Sequence, residues 1–181
     1  MADPLFIPSP EIARAVEFAA EHHGDQTRKG TSIPYLQHLL GVASIALEFG
    51  ATEIETVAAI LHDVLEDTSV TENVLRAAFG PEVTDIVLSC SNEAKTGGDP
   101  RDSWRSRKEA YVTHLATASA SAVLVSLADK IHNARSIGAD HRRAEDKETF
   151  WERFNAGRDD QVWYYRSLVE MYQQRLGAAA Y

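Results

Sequence analysis

The most informative stretch of the sequence is LHDVLEDT, residues 61–68, which carries four titratable side chains within six positions. On a helix, His62 and Glu66 lie four residues apart and share a face. Asp63 and Asp67 have the same spacing. The stretch contains no Lys or Arg, although buried carboxylates need a compensating positive charge. A bound metal ion would supply that charge. The alternative is an ordinary amphipathic helix whose acids face water.

Helical periodicity extends outward from this stretch in both directions. Thr52 and Glu55 form a capping box at the start of the helix that leads into this stretch, and apolar residues follow at helical spacing. Ser9 and Pro10 begin an earlier helix, which runs to about His23. We expect further helices at about residues 35–49, 71–79, 82–91, 101–117, 120–135 and 147–173.

Two segments between these helices complete the expected fold. The most apolar one, AVLVSLA at residues 122–128, has the length of a buried strand, but its helical neighbours favour a helix. The segment EAKTGGDP at 93–100 predicts a loop, and Asp99-Pro100 repeats the N-cap and N1 pattern. The pattern as a whole predicts an all-α bundle of about eight or nine helices that forms a single domain over residues 1–181.

Charge and composition narrow the class of function. The chain has 181 residues, 44% of them hydrophobic, and a net charge of −9. This charge has the wrong sign for a nucleic-acid binder. One cysteine, Cys90, excludes an internal disulfide and suits a reducing compartment. No apolar run reaches the roughly 18 residues of a membrane span, and the N-terminus lacks a signal-peptide pattern. We therefore expect a cytoplasmic protein.

Two further segments carry residues that can bind a metal. SLADKIHN at residues 126–133 places Asp129 directly after the apolar run and Asn133 one turn later. Asp129 is either a ligand brought in from a distant helix or a solvent-facing acid paired with Lys130. The doubled histidine His22-His23 ends the first helix, where capping or surface exposure is the alternative to ligation.

Together these segments offer two histidines and two aspartates from three helices. Mixed imidazole and carboxylate ligands suit Mn²⁺, Fe²⁺, Co²⁺ or Zn²⁺. Four protein ligands on a six-coordinate ion leave two positions open, one for water and one for a phosphoryl oxygen. Metal-assisted hydrolysis needs this arrangement.

The order His…His-Asp…Asp resembles the pattern of the HD phosphohydrolase superfamily. More narrowly, the chain resembles the hydrolase domain of the RelA/SpoT homologues, and specifically the stand-alone small alarmone hydrolases. HD alone is a weak motif, whereas HDxxEDT with an upstream RK loop and a downstream LADKxxN is typical of that branch. The matching blocks are HHGDQTRKG (22–30), PYLQH (34–38), AAILHDVLEDT (58–68), FG (79–80) and VSLADKIHNAR (125–135).

The resemblance implies roles for the residues around the metal. Glu66 and Asp67 match the acidic pair that positions or activates the attacking water. His38 is expected to orient a ligand through a hydrogen bond, as ligating groups usually require. The implied metal ligands are His23, His62, Asp63 and Asp129.

The resemblance also implies the substrate contacts. Arg28 and Lys29 match cations that contact the nucleotide, and Asn133 matches a residue that touches its nucleoside part. Arg158 either reaches a phosphate from the last helix or forms a surface ion pair with Asp159 or Glu152.

Some positions depart from the family pattern. Gly24 falls one place early and Asp25 fills the glycine position, while Leu39 stands where proline is usual. A larger polar residue is frequent at the position of Gly30. The segment 150–165 resembles a tail of short bacterial HD-domain proteins. These departures leave the metal set intact and concern base selectivity.

The implied activity is hydrolysis of guanosine tetra- and pentaphosphate at the 3′ position, with release of pyrophosphate and with Mn²⁺ as cofactor. One alternative is a related phosphohydrolase that acts on adenosine alarmones or another phosphorylated nucleotide. Another is a catalytically silent alarmone sensor, which would have no reason to keep the acids. The expected partner is a small nucleotide, not nucleic acid or membrane, and association into a homo-oligomer is left open.

Overall fold

The computed structural model describes residues 6–91 and 104–177, and its regular elements are all helices. Thr27 and Pro34 form an isolated antiparallel bridge. None of the described helices is both long enough and apolar enough to cross a membrane. The all-α prediction is confirmed. The helices are α1 (Pro10–His23), α2 (Leu36–Glu48), α3 (Glu53–Leu61), α4 (Val64–Asp67), α5 (Glu72–Cys90), α6 (Trp104–Leu115), α7 (Ala120–Arg143), a 3-10 helix (Thr149–Arg153) and α8 (Arg158–Leu176).

The predicted helix starts are confirmed where they rest on capping chemistry. The Ser9 side chain accepts a hydrogen bond from the Glu11 amide at the start of α1. Thr52 and Glu55 form the reciprocal capping box of α3. The predicted loop at 93–100, with the helix start at Asp99-Pro100, lies outside the described residues.

Two apolar cores share the helix α7. The larger core joins α1, α2, α3 and α5 to one face of α7, where Val125 and Ala128 are buried. The smaller core joins α6 and α8 to another face, where Val123 and Leu127 are buried. The predicted helix at 122–128 is confirmed, and it is apolar all round because both of these faces are covered. A cleft opens between the two cores beside the next turn of α7.

The helix expected through residues 61–68 is interrupted, so that prediction is wrong. α3 ends at Leu61, and Asp63 (φ −97°, ψ −4°) precedes the short helix α4. Adjacent residues of a regular helix do not face each other. Here the interruption lets His62 and Asp63 converge, with Nε2 of His62 3.0 Å from Oδ2 of Asp63.

The single helix expected at 147–173 is also wrong. The chain leaves the 3-10 helix at Phe154 (φ −95°, ψ 158°) and begins α8 after Gly157, whose backbone is extended. Glycine is a weak helix former. The rings of Phe150, Trp151 and Phe154 pack on one another with centroids 5.1–5.7 Å apart, which folds this segment into a compact turn. α7 in turn runs on to Arg143, beyond the predicted end.

Gly80 bends α5 where the sequence predicted a break between two helices. Its φ of 80° and ψ of 174° lie in a region that is essentially restricted to glycine. Gly80→Ala should therefore lower the free energy of unfolding by about 1–3 kcal/mol. Urea denaturation of the variant and the parent protein measures this difference.

The matched control for this substitution is Gly138→Ala. Gly138 lies inside α7, and a Cβ there would meet its nearest neighbour, Nη1 of Arg142, at an ordinary 3.5 Å. Alanine should stabilise a helix interior by about 0.5–1 kcal/mol relative to glycine. Equal changes in the two variants would contradict a special backbone requirement at Gly80.

Candidate metal centre

Four side chains from three segments converge at the floor of the cleft. The ligand atoms of His38, His62 and Asp129 lie within 4.8 Å of one another, and all three residues are buried. Oδ2 of Asp63 lies 3.5 Å from Nε2 of His38, in addition to its contact with His62. Nε2 of His38 lies 3.2 Å from Oδ1 of Asp129. We call these four residues the ligand group.

The ligand group fits a divalent cation. Nε2 of His62 is buried and makes no hydrogen bond of good geometry among the described residues, although it lies 3.0 Å from Oδ2 of Asp63. A buried polar atom without a partner costs free energy, and coordination to a cation would remove that cost. Nδ1 of His62 lies 2.8 Å from the carbonyl of Ala59, which fixes the tautomer that leaves Nε2 as the ligand atom.

Charge coupling keeps both carboxylates of the group ionised. Burial alone would raise the pKa of Asp63, but the positive charge of His62 and the polar contacts of His38 and His62 together outweigh burial and hold that pKa well below its usual range. Burial likewise opposes the low pKa of Asp129, which Lys130 and the two histidines produce. Burial lowers the pKa of His62, yet the two carboxylates raise it well above its ordinary value. A cation bound through Nε2 of His62 would take the place of a proton on that atom.

The geometry places His38, and not His23, in the ligand group. His38 stands in the first turn of α2, and its Nε2 lies close to both carboxylates. His23 ends α1 with its ring stacked on that of Tyr35 (centroids 5.0 Å apart). Nδ1 of His23 lies 2.8 Å from Oε1 of Gln26. Gln26 then donates to the carbonyl of Asp67 at 2.6 Å. His23 thus supports the end of α4. The sequence signal for His38 is the block PYLQH.

The acidic pair on α4 lies at the rim of the cleft. Glu66 and Asp67 are exposed and line its wall beside the ligand group. Burial and the charge of Asp63 raise the pKa of Asp67. The hydroxyl of Tyr35 donates to Oδ2 of Asp63 at 2.6 Å, and burial raises the pKa of Tyr35 so that it keeps this proton. Carboxylates are therefore present both inside and just above the ligand group.

Three of the four predicted substrate contacts line the same cleft. Nη2 of Arg28 donates to Oδ1 of Asn133 at 2.8 Å. Nδ2 of Asn133 donates to Oδ1 of Asp129 at 2.5 Å. Nζ of Lys29 lies 3.4 Å from Oδ1 of Asn155. Arg158 begins α8, is exposed, and is not among the described residues that line the cleft.

Three further cations in the cleft wall were not predicted: Lys108, Lys130 and Arg153. Nζ of Lys130 lies 2.7 Å from Oδ2 of Asp129. One alternative from the sequence is a solvent-facing Asp129 paired with Lys130; the ion pair is present, but Asp129 is buried. Arg153 pairs with Asp140 at 2.8 Å. No local motif marks Lys108 or Arg153, because tertiary packing alone brings α6 and the 3-10 helix to the cleft. The cleft holds about 400 Å³, the size of a small-molecule site.

Comparison with known families finds one match over most of the chain. The model of the HD domain family matches residues 15–162. Among curated proteins, the guanosine-3′,5′-bis(diphosphate) 3′-pyrophosphohydrolase MESH1 of Xenopus tropicalis is 38% identical over 129 residues, which is 70% of this chain and 69% of the relative. The protein of Aquifex aeolicus with the same enzyme name is 37% identical over 128 residues, and the match spans only 18% of its length.

Two solved structures are similar to this protein in fold. One is a metazoan orthologue of SpoT described as hydrolysing ppGpp, with a TM-score of 0.65, 26% identity and coverage of 94% of this chain and 98% of the other. A second, from Listeria monocytogenes, has a TM-score of 0.63 and 31% identity over 75% of this chain and 83% of the other.

Removal of one ligand should weaken the binding of a divalent cation. His38→Ala should reduce the affinity for Mn²⁺ by more than about 100-fold, because even an orienting partner of a ligand is worth about 10–100-fold. His23→Ala should leave this affinity nearly unchanged, since His23 lies outside the ligand group. Titration of the metal-free proteins with Mn²⁺, with the free ion measured by electron paramagnetic resonance, gives both affinities. A larger loss in His23→Ala would reverse the assignment.

Proposed function

The chain belongs to the HD domain family, in the group that includes the MESH1 hydrolases, and from this premise we propose that it hydrolyses the 3′-pyrophosphate of guanosine tetra- and pentaphosphate. The products would be pyrophosphate and GDP or GTP. The enzyme names of the relatives and the SpoT-type structural neighbour support this proposal.

The observation that carries the proposal is a single cleft that holds both the ligand group and several cations. Two ionised carboxylates and two imidazoles form the ligand group. The same cleft is also lined by the cations Arg28, Lys29, Lys108, Lys130 and Arg153, in a chain whose net charge is −9. The ligand group suits a divalent cation, and the cations suit a polyphosphate.

His38, His62, Asp63 and Asp129 would hold the cation, and we propose Mn²⁺ as that ion. Imidazole and carboxylate ligands suit Mn²⁺, although they do not single it out. A divalent cation in this position supplies Lewis-acid polarisation of a phosphoryl oxygen.

The remaining steps use side chains of this protein. Glu66 would hold the attacking water and take its proton on a carboxylate oxygen. Asp67, one residue further along α4, would share that task or steady Glu66. Tyr35 would keep Asp63 oriented through its 2.6 Å hydrogen bond. Arg28 and Lys29 would bind the phosphate oxygens of the substrate and offset their charge.

The domain organisation and the cellular location are also part of the proposal. We propose that residues 1–181 form a single HD-type domain, which is supported by the match over residues 15–162 and by the sharing of α7 between both cores. The cytoplasmic location remains a prediction from the sequence.

A panel of alarmones tests the substrate. The purified protein with Mn²⁺ is incubated with guanosine and adenosine tetra- and pentaphosphates, and the products are separated by anion exchange. We expect pyrophosphate with GDP or GTP. Faster turnover of the adenosine compounds would favour the related phosphohydrolase, and binding without turnover would favour the sensor.

Glu66→Gln tests the role of the acid at the rim. If Glu66 takes the proton of the water, kcat should fall by about 10²–10⁴, the usual contribution of a positioned base. Mn²⁺ content and KM should stay near their parent values. Glu72 is an acid of α5 that pairs with Arg76, and Glu72→Gln is the matched control. It should leave kcat, KM and Mn²⁺ content unchanged. Unchanged kcat with metal retained would remove Glu66 from the mechanism.

Lys29→Ala tests whether a cation of the cleft binds the substrate. If Lys29 binds phosphate equally in the ground and transition states, KM should rise about fivefold, as for the loss of about 1 kcal/mol, and kcat should change little. Arg76→Ala removes a cation from α5, outside the cleft, and serves as the control for charge alone. Steady-state kinetics with the guanosine substrate measure KM and kcat for both variants and for the parent protein. A change confined to kcat would contradict ground-state binding by Lys29.

A further inference from the structure

A second buried histidine stands directly behind His38. His132 lies on α7, three residues after Asp129, and only 8% of it is exposed. Its Nδ1 lies 2.8 Å from Nδ1 of His38, and the two rings are 4.8 Å apart. Two imidazole nitrogens at this distance share one proton, so one ring donates and the other accepts.

The ligand group decides which ring donates. Nε2 of His38 faces Asp129 at 3.2 Å and Asp63 at 3.5 Å, so Nε2 is the atom turned toward a cation. A histidine that coordinates through Nε2 carries its proton on Nδ1. His38 therefore donates from Nδ1, and Nδ1 of His132 accepts.

The other nitrogen of His132 completes the chain. With Nδ1 as acceptor, His132 carries its proton on Nε2, which lies 3.3 Å from the side-chain amide nitrogen of Gln37. This placement has an amide donor facing Nε2 of His132. A half-turn of the Gln37 amide would exchange its nitrogen and oxygen atoms, so that the amide oxygen would accept the proton of His132. With that orientation, Gln37, His132 and His38 would form one directional chain of hydrogen bonds that ends at the ligand group.

A glycine makes room for this arrangement. Gly41 lies in α2, one turn after His38, and a Cβ at this position would overlap the imidazole of His132. Glycine inside a helix costs about 0.5–1 kcal/mol relative to alanine. The close approach of His132 is a physical reason for glycine at this position.

We propose that His132 is a positioning residue: it accepts the hydrogen bond of His38 Nδ1–H and thereby presents Nε2 of His38 to the cation, in a space that Gly41 leaves open. The inference rests on the proposed metal-dependent function. Ligating histidines usually donate to a carboxylate, a carbonyl or a water, and here a second imidazole has that task.

Substitutions of His132 separate the acceptor role from simple packing. His132→Leu removes the acceptor and should weaken Mn²⁺ binding about 10–100-fold. His132→Asn keeps an oxygen near the position of Nδ1 and should stay within about threefold of the parent affinity. His141→Leu, on the same helix and outside the ligand group, is the matched control. Affinities are measured by titration of the metal-free proteins, with free Mn²⁺ read by electron paramagnetic resonance.

Gly41→Ala provides an independent route to the same answer. The added Cβ should displace His132 and weaken Mn²⁺ binding although every imidazole is retained. In the double variant Gly41→Ala/His132→Asn the smaller side chain leaves room for the Cβ, so the affinity should recover relative to Gly41→Ala alone.

The outcomes separate this inference from the proposed function. Parent affinity in a folded His132→Leu, or equal losses in His132→Leu and His132→Asn, would overturn the positioning role. Circular dichroism of the metal-free proteins reports folding. If His132→Leu does not fold, recovery in the double variant supports the role and its absence overturns it. A parent protein that binds no Mn²⁺ would instead contradict the proposed function.

Discussion

Two ionised carboxylates, Asp63 and Asp129, meet at one buried point, and the surrounding structure serves to compensate their charge. Like charges in a medium of low polarity repel strongly. His62 and Lys130 provide positive charges beside them, and a divalent cation held by the ligand group would add two more. Apolar side chains would pack at less cost than this pair of charges, so the proposed binding of a cation would account for two carboxylates in an apolar bundle.

The fold meets this demand by placing the ligands on elements that cannot move independently. α7 belongs to both cores, so the position of Asp129 is fixed from two sides. Two hydrogen-bonded routes then run from residues 23–35 to the ligand group: Tyr35 to Asp63, and Arg28 through Asn133 to Asp129. A third runs from His23 through Gln26 to Asp67 at the rim. The hydrogen bond between Arg28 and Asn133 thus connects a cation of the cleft to the ligand group.

The sequence predicted those features that rest on neighbouring residues. Thr52 and Glu55 mark the start of α3 because a capping box needs only a short segment. The pair His62-Asp63 was singled out by charge density alone. The interruption between α3 and α4 was not predicted, since no glycine or proline between Leu61 and Val64 marks it. Lys108 and Arg153 were missed for the same reason: their helices reach the cleft through packing that no periodicity encodes.

The choice between His23 and His38 as a metal ligand shows a limit of sequence spacing as a guide to the site. The ring of Tyr35 packs on both candidates, with its centroid 5.0 Å from that of His23 and 5.4 Å from that of His38. Both histidines are buried, so neither burial nor composition separates them. The decisive difference lies in the contacts of each ring. Nε2 of His38 lies 3.5 Å from Oδ2 of Asp63 and 3.2 Å from Oδ1 of Asp129, whereas Nδ1 of His23 contacts Oε1 of Gln26. Contacts between segments that are distant along the chain therefore distinguish the two histidines, and the spacing of residues does not.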